Sequence, residues 1–100
     1  MSIKKLNGSE FDSAVAEGYA LIDFYADWCG PCRMLAPTVE EVAAERPDVV
    51  VGKVNVDSEG ELARRFGIFS IPTVVILKDG KEVSRAVGVR SLEQLLDMLG

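Results

Sequence analysis

Histidine is absent from this 100-residue chain. That one absence removes a Cys-His dyad, a Ser-His-Asp triad and His-assisted zinc binding. Cysteine is scarce: Cys29 and Cys32 are the only two, too few for the disulfide scaffold of a small secreted domain. Tryptophan occurs once, at Trp28 beside them. Long apolar runs are missing, and Val74 to Leu77 is about as long as they become. No membrane-spanning segment is expected, and the polar stretch Met1 to Glu10 does not read as a secretory leader. The expected location is therefore cytoplasmic, although a mature domain cut from a longer precursor would read the same. Basic residues are outnumbered, 11 against 16 acidic, for a net charge of −5, and Arg64-Arg65 is their densest cluster. This argues against nucleic acid or an anionic membrane as a main partner. Repeats, linkers and low-complexity segments are also lacking. The expectation is one domain over residues 1–100, a monomer, with a hydrophobic fraction of 48% to build a small core.

The patterning predicts nine elements. Ile3 to Leu6 is a short strand candidate, followed by a turn at Asn7-Gly8-Ser9. Glu10 to Glu17 carries Phe11, Ala14 and Val15 at helical spacing and stops at Gly18. Tyr19 to Ala26 is nearly continuous apolar, as suits a strand buried on both faces. Met34 to Arg46 is helical, with Pro37 expected to kink it and Pro47 to mark its end. Val49 to Val56 is a β-branched interior strand. Ser58 with Glu61 reads as a capping box for a short helix through Phe66, stopped by Gly67. Thr73 to Lys78 and Lys81 to Val87 flank the turn signal Asp79-Gly80, which predicts a hairpin. Ser91 with Gln94 is a second capping box, opening a helix with Leu92, Leu95, Leu96 and Leu99 on one face. The order is βαβαβαββα. It predicts an α/β fold with a mixed sheet, three parallel strands joined by crossover helices and an antiparallel hairpin.

The chemistry concentrates at Trp28-Cys29-Gly30-Pro31-Cys32. Two thiols two residues apart can close a small ring, and Gly-Pro restricts that ring without lengthening it. The pair falls between a strand and a helix, so Cys29 is expected near a helix N-terminus, where the dipole and free N–H groups favour a thiolate. The pattern suits thiol–disulfide exchange; an inert pair or a two-thiolate metal site are the other readings. Asp23 interrupts the apolar run Ala20 to Phe24. A buried carboxylate there is costly unless paired or functional, and burial should raise its pKa toward that of a proton acceptor at neutral pH. Lys53 interrupts the other interior strand in the same way.

These residues resemble the thioredoxin family over essentially the whole chain. The likeness is carried by Asp23-Phe24 leading into Trp28 to Cys32, by Pro37, by Ile71-Pro72-Thr73, by Asp79-Gly80 and by Gly88. The resemblance implies the thioredoxin fold, with helices on both faces of the sheet, and protein disulfide reduction. Cys29 would be the nucleophile and Cys32 the resolving thiol, alternating between dithiol and a Cys29–Cys32 disulfide. Asp23 would exchange the proton behind Cys32, with Lys53 as its charge partner. A cis Pro72 would expose the backbone of Ile71 to an extended substrate. Trp28, Gly30, Pro31, Phe69, Ile71, Val87, Gly88 and Val89 would complete an apolar docking face. No bound cofactor or metal is implied; a separate flavin-containing thioredoxin reductase would return the electrons. The partners implied are that reductase and disulfide-containing proteins.

Two residues depart from the family pattern. Tyr25 stands where tryptophan is commoner, and Phe69 where polar or smaller residues are. Both bear on partner choice and leave the reaction as read. Two alternatives stand beside it: an oxidase or isomerase domain in an oxidising compartment, and a binding module whose thiols are incidental.

Overall fold

The computed structural model describes residues 3–100. Strand β1 spans Ile3–Lys5, helix α1 Phe11–Ala14, β2 Tyr19–Tyr25, α2 Gly30–Glu45 and β3 Val50–Asn55. They are followed by α3 Gly60–Arg65, β4 Thr73–Lys78, β5 Lys81–Val87 and α4 Leu92–Leu99. The five strands form one sheet in the order β1-β3-β2-β4-β5. The first three run parallel, and β4 joins β2 antiparallel with β5 outside it. This is the mixed α/β sheet expected from the element order, with β2 at its centre.

Because side chains alternate along a strand, β2 feeds two cores. Leu21 packs with Leu35, Val39, Val42, Val74, Ile76, Leu95 and Leu99, under α2 and α4. Ala20, Ile22 and Phe24 pack with Phe11, Val15, Leu62, Val75 and Leu77, under α1 and α3. Both faces of the strand are therefore dry, which accounts for its unbroken apolar character. Gly52 in β3 shows how tightly the second core closes: a Cβ there would lie 2.6 Å from Leu6 Cδ1 and 3.3 Å from Ile22 Cδ1.

Several boundaries differ from the sequence reading. Helix α1 is one turn, not Glu10 to Glu17, and Glu10 at its N-cap makes no side-chain capping bond. Its apolar set ends at Val15, and the chain then turns to Gly18, whose N–H donates to Asp79 Oδ1 at 2.7 Å. Asp79 N–H returns a bond to the Gly18 carbonyl at 2.9 Å. Asp79 and Gly80 have φ of 51° and 85°, the backbone demanded by the two-residue hairpin turn. Helix α2 begins four residues before Met34, at Gly30, and continues through Pro37. The Ser58–Glu61 box does not form: α3 starts at Gly60, and the Ser58 hydroxyl donates to the Asn55 carbonyl instead. The Ser91–Gln94 box does form, with both reciprocal bonds in place.

Replacing Gly52 by alanine should overfill the contact with Leu6 and Ile22. The expected loss of stability is about 1–3 kcal/mol, the usual cost of an extra core methyl that has no space. A chemical denaturation midpoint at or above that of the parent protein would show that Leu6 moves aside freely.

Candidate active site

The site is built where β2 runs out. Tyr25 ends the strand, Ala26 follows it, and α2 begins at Gly30. Cys29 occupies the N-cap with an extended backbone, and Pro31 sits in the first turn, where its missing N–H costs nothing. Cys29 and Cys32 are joined as a disulfide, with Cα atoms 5.3 Å apart. The Cys32 N–H donates to Cys29 Sγ at 3.2 Å. The sulfur thus fills the place of an N-cap oxygen, and negative charge on it would be favoured by that bond and by the helix dipole. Both cysteines are buried and pack with Tyr25 and Ala26, and with Val56 and Ile71 at the margin.

Three segments surround the disulfide. Trp28 is 68% exposed, and its indole N–H donates to Asp57 Oδ2 at 2.8 Å. The Ile71–Pro72 peptide is cis. The Ile71 carbonyl oxygen lies 3.9 Å from Cys29 Sγ. Pro72 itself is buried and Ile71 half-buried. Gly88 N–H donates to the Pro72 carbonyl at 2.8 Å, which sets Val87 and Val89 beside this loop. Val87 and Val89 are exposed, and Phe69 is almost fully so, at 98%. Gly30 is half-buried and Pro31 exposed on the first turn of α2. Sequence reasoning missed Asp57, since an aspartate just past a strand carries no signal that it will orient a tryptophan. Met34, two residues past Cys32, is also exposed and apolar.

Asp23 lies two residues before Tyr25 on the same strand. Leu21, Asp23 and Tyr25 share one face of β2; Leu21 packs under the body of α2 and Tyr25 against the cysteines. Asp23 falls between them, fully buried, with neither carboxylate oxygen hydrogen-bonded. Burial pushes its pKa up to about 6, and the nearby positive charge of Lys53 pulls the other way. Lys53 is its register partner across the parallel β2–β3 pair. The expected ion pair, however, is not made. The ion pairs among the described residues are Arg46–Asp48, Arg65–Asp12, Lys78–Asp79 and Arg85–Glu82. The Lys53 ammonium instead sits over the Tyr25 ring, 4.3 Å from its centroid.

No group of three His, Cys, Asp or Glu side chains able to hold a metal is found among the described residues. No helix among them is long and apolar enough to cross a membrane. A disulfide at the N-terminus of a helix, closing a short ring beside exposed apolar side chains, is the arrangement that suits a thiol–disulfide oxidoreductase.

Comparisons with known proteins narrow the class. The thioredoxin family model matches residues 2–100. A thioredoxin of Chlamydia pneumoniae is 45% identical over 97 residues, covering 97% of this chain and 95% of its own. A thioredoxin of Staphylococcus aureus is 41% identical, covering 99% of this chain and 96% of its own. A mutant thioredoxin from Halobacterium salinarum NRC-1 superposes with a TM-score of 0.91 at 39% identity, covering 98% of this chain and 88% of that one. The chain belongs to the thioredoxin family. It is a protein-disulfide reductase that works through a redox-active disulfide without a bound cofactor.

The buried carboxyl makes a thermodynamic prediction. The native state holds the Asp23 proton up to a pH of about 6, whereas the unfolded chain releases it near the ordinary value of 3.8. The charge therefore costs nothing below that lower value, and its cost is fully present above the upper one. Asp23→Asn should raise stability by about 1–3 kcal/mol at pH 7.5 and change it little at pH 4. Equal effects at the two pH values, measured by denaturation, would contradict this.

Proposed function

We propose that this protein reduces disulfides in other proteins with Cys29 as the attacking thiolate and Cys32 as the resolving thiol. The observation that carries the assignment is the N-cap position of the Cys29 sulfur. The Cys32 N–H and the helix end favour its anion, and Ile71 and the exposed apolar residues adjoin it. The Cys29 thiolate attacks one sulfur of the substrate. The substrate S–S bond breaks, a mixed disulfide forms, and the first substrate thiolate leaves. Cys32 then gives its proton to Asp23 and attacks the Cys29 sulfur. The Cys29–Cys32 bond forms, and the second substrate thiolate departs. The substrate gains two electrons and this chain loses them. Burial without a hydrogen-bond partner suits Asp23 to that proton, since its carboxyl titrates near neutrality. Lys53 moderates it from across the strand pair.

The substrate docks on Trp28, Gly30, Pro31, Phe69, Ile71, Pro72, Val87, Gly88 and Val89. An extended segment pairs with the backbone at Ile71, as strands pair at an open edge. Asp57 holds Trp28 at the rim. A separate flavin-containing thioredoxin reductase, fed by NADPH or ferredoxin, resets the disulfide. The reaction is placed in the cytoplasm, where thiols are kept reduced, and the working form is the monomer. The family membership and the bacterial relatives support these assignments.

Cys32→Ser should accumulate substrates as mixed disulfides on Cys29, seen by non-reducing electrophoresis and mapped by mass spectrometry. Trapping through Cys32 in a Cys29→Ser protein, with none in Cys32→Ser, would reverse the roles. Phe69→Ser should raise KM for a protein disulfide about three- to tenfold with kcat unchanged, as expected for losing part of one exposed aromatic contact. An unchanged KM across several protein substrates would remove Phe69 from the docking face.

A further inference from the structure

The groups facing Asp23 are few. Strand β4 places Val74 opposite it, and α4 contributes Leu95 and Leu99 to that side of the sheet. Helix α2 contributes Leu35 and Val39 to that side, and the disulfide at its start packs against Tyr25. The one cation in register with it is Lys53 on β3. Further out, Lys5 on β1 is opposite Lys53, and Glu59 borders the same cavity of about 280 Å³. Tyr25 and Lys53 both line that cavity.

A lysine directly across from a buried carboxylate is placed to pair with it, because opposite charges at facing strand positions attract. Here the ammonium lies over the Tyr25 ring, and both Asp23 oxygens remain without a partner. We propose that Tyr25 is a positioning residue for Asp23: its ring face holds the Lys53 ammonium beside the carboxyl rather than on it. A cation over an aromatic face is attracted by the ring quadrupole and keeps its remaining hydration, here toward the cavity. A direct ion pair in this setting would stabilise the carboxylate and leave a poor acceptor for a thiol proton. Removing the cation would leave a carboxyl that gives its proton up late. The ring sets the distance between those limits. The aromatic character of position 25 thereby acquires a chemical reason beyond packing. This inference rests on Asp23 being the proton acceptor only for its consequence in turnover; the placement of Lys53 stands separately.

The test uses oxidised protein, in which the cysteines do not titrate, and follows the Asp23 carboxyl carbon by NMR against pH. In Tyr25→Met the ammonium is released toward Asp23, and the midpoint should fall by about one pH unit or more. In Tyr25→Phe, which keeps the ring, it should not move. On a Lys53→Met background, Tyr25→Met should no longer lower the midpoint. An unmoved midpoint in Tyr25→Met overturns the proposal. So does an equal fall on the Lys53→Met background, or a fall in Tyr25→Phe as large as in Tyr25→Met. The unaltered protein supplies an independent check: the Lys53 ε-methylene protons should be shifted upfield by the ring current, and random-coil shifts there would overturn the proposal even if a variant failed to fold. Unimpaired disulfide reduction by Asp23→Asn would remove the proton-acceptor role while leaving the titration results intact, so the two failures are distinguishable.

Discussion

Everything at the redox site depends on the junction between β2 and α2. The central strand stops at Tyr25, and a 16-residue helix starts five residues later at Gly30. The helix cannot shift, because Leu35, Val39 and Val42 lock it onto the sheet through the first core. Its first free N–H groups are thus held at one fixed point above the sheet edge. Whatever residue caps them receives their field, and that residue is Cys29. Pro31 fits because the first turn needs no N–H from it. One constraint therefore fixes the sulfur's position, its hydrogen-bond partner and its electrostatic setting. The loop carrying Ile71 and Pro72 needs only to lie against that point, and the Gly88–Pro72 bond joins it to the segment after β5.

Asp23 is the one charged side chain buried in this junction. A position on β2 that fits the first core would otherwise hold an aliphatic side chain, as Leu21 does two residues earlier. A carboxyl with no partner there lowers stability at neutral pH, the direction expected of a functional group held in an unfavourable state. The strand tolerates it because both neighbours, β3 and β4, supply long registers of six paired residues each. Stability is drawn from the sheet as a whole, and the proposed proton acceptor occupies one residue of it.

Much of this was legible in the chain because the signals were redundant. The cysteine pair, the apolar strand before it, the hairpin turn at Asp79-Gly80 and the capping box at Ser91 each agree with the structure. Where signals were single, tertiary contacts overrode them. Ser58 and Glu61 have the spacing of a capping box, as Ser91 and Gln94 do. At the first site, however, Asn55 accepts bonds from both Ser58 and Asp57, and Glu59 accepts from the Gly8 N–H. Those bonds hold the chain in a turn until Gly60. At the second site the Ser91 hydroxyl and the Gln94 side chain each cap the other's backbone N–H. Helix α1 is short for a related reason, since the Gly18–Asp79 bonds fix where its chain must go. The placement of Lys53 was legible only in part. Its opposition to Asp23 follows from two charged residues in two interior strands, but its contact with Tyr25 depends on side-chain direction, which strand spacing does not encode.

The proposed docking face and the reacting atoms have opposite requirements, and the fold separates them by depth. The sulfurs are buried and Asp23 lies deeper still, so charge developing on either is little screened by solvent. Trp28, Phe69, Val87 and Val89 are exposed, and none belongs to the two sheet cores. On the proposed docking role, changing those side chains would alter which surfaces fit without disturbing the two cores that hold the helix end. Phe69, almost wholly in solvent, is the extreme case. A single exposed ring needs no partner to explain it, and the case for Phe69 as a docking residue rests on its place beside Ile71 and Pro72 in the sequence. Tyr25 lies on the other side of that division, buried beside the cysteines and in contact with Lys53. In the proposals made above the two departures from the family pattern act on different steps: Phe69 on which proteins are engaged, and Tyr25, through its contact with Lys53, on how the proton is handled once one is bound.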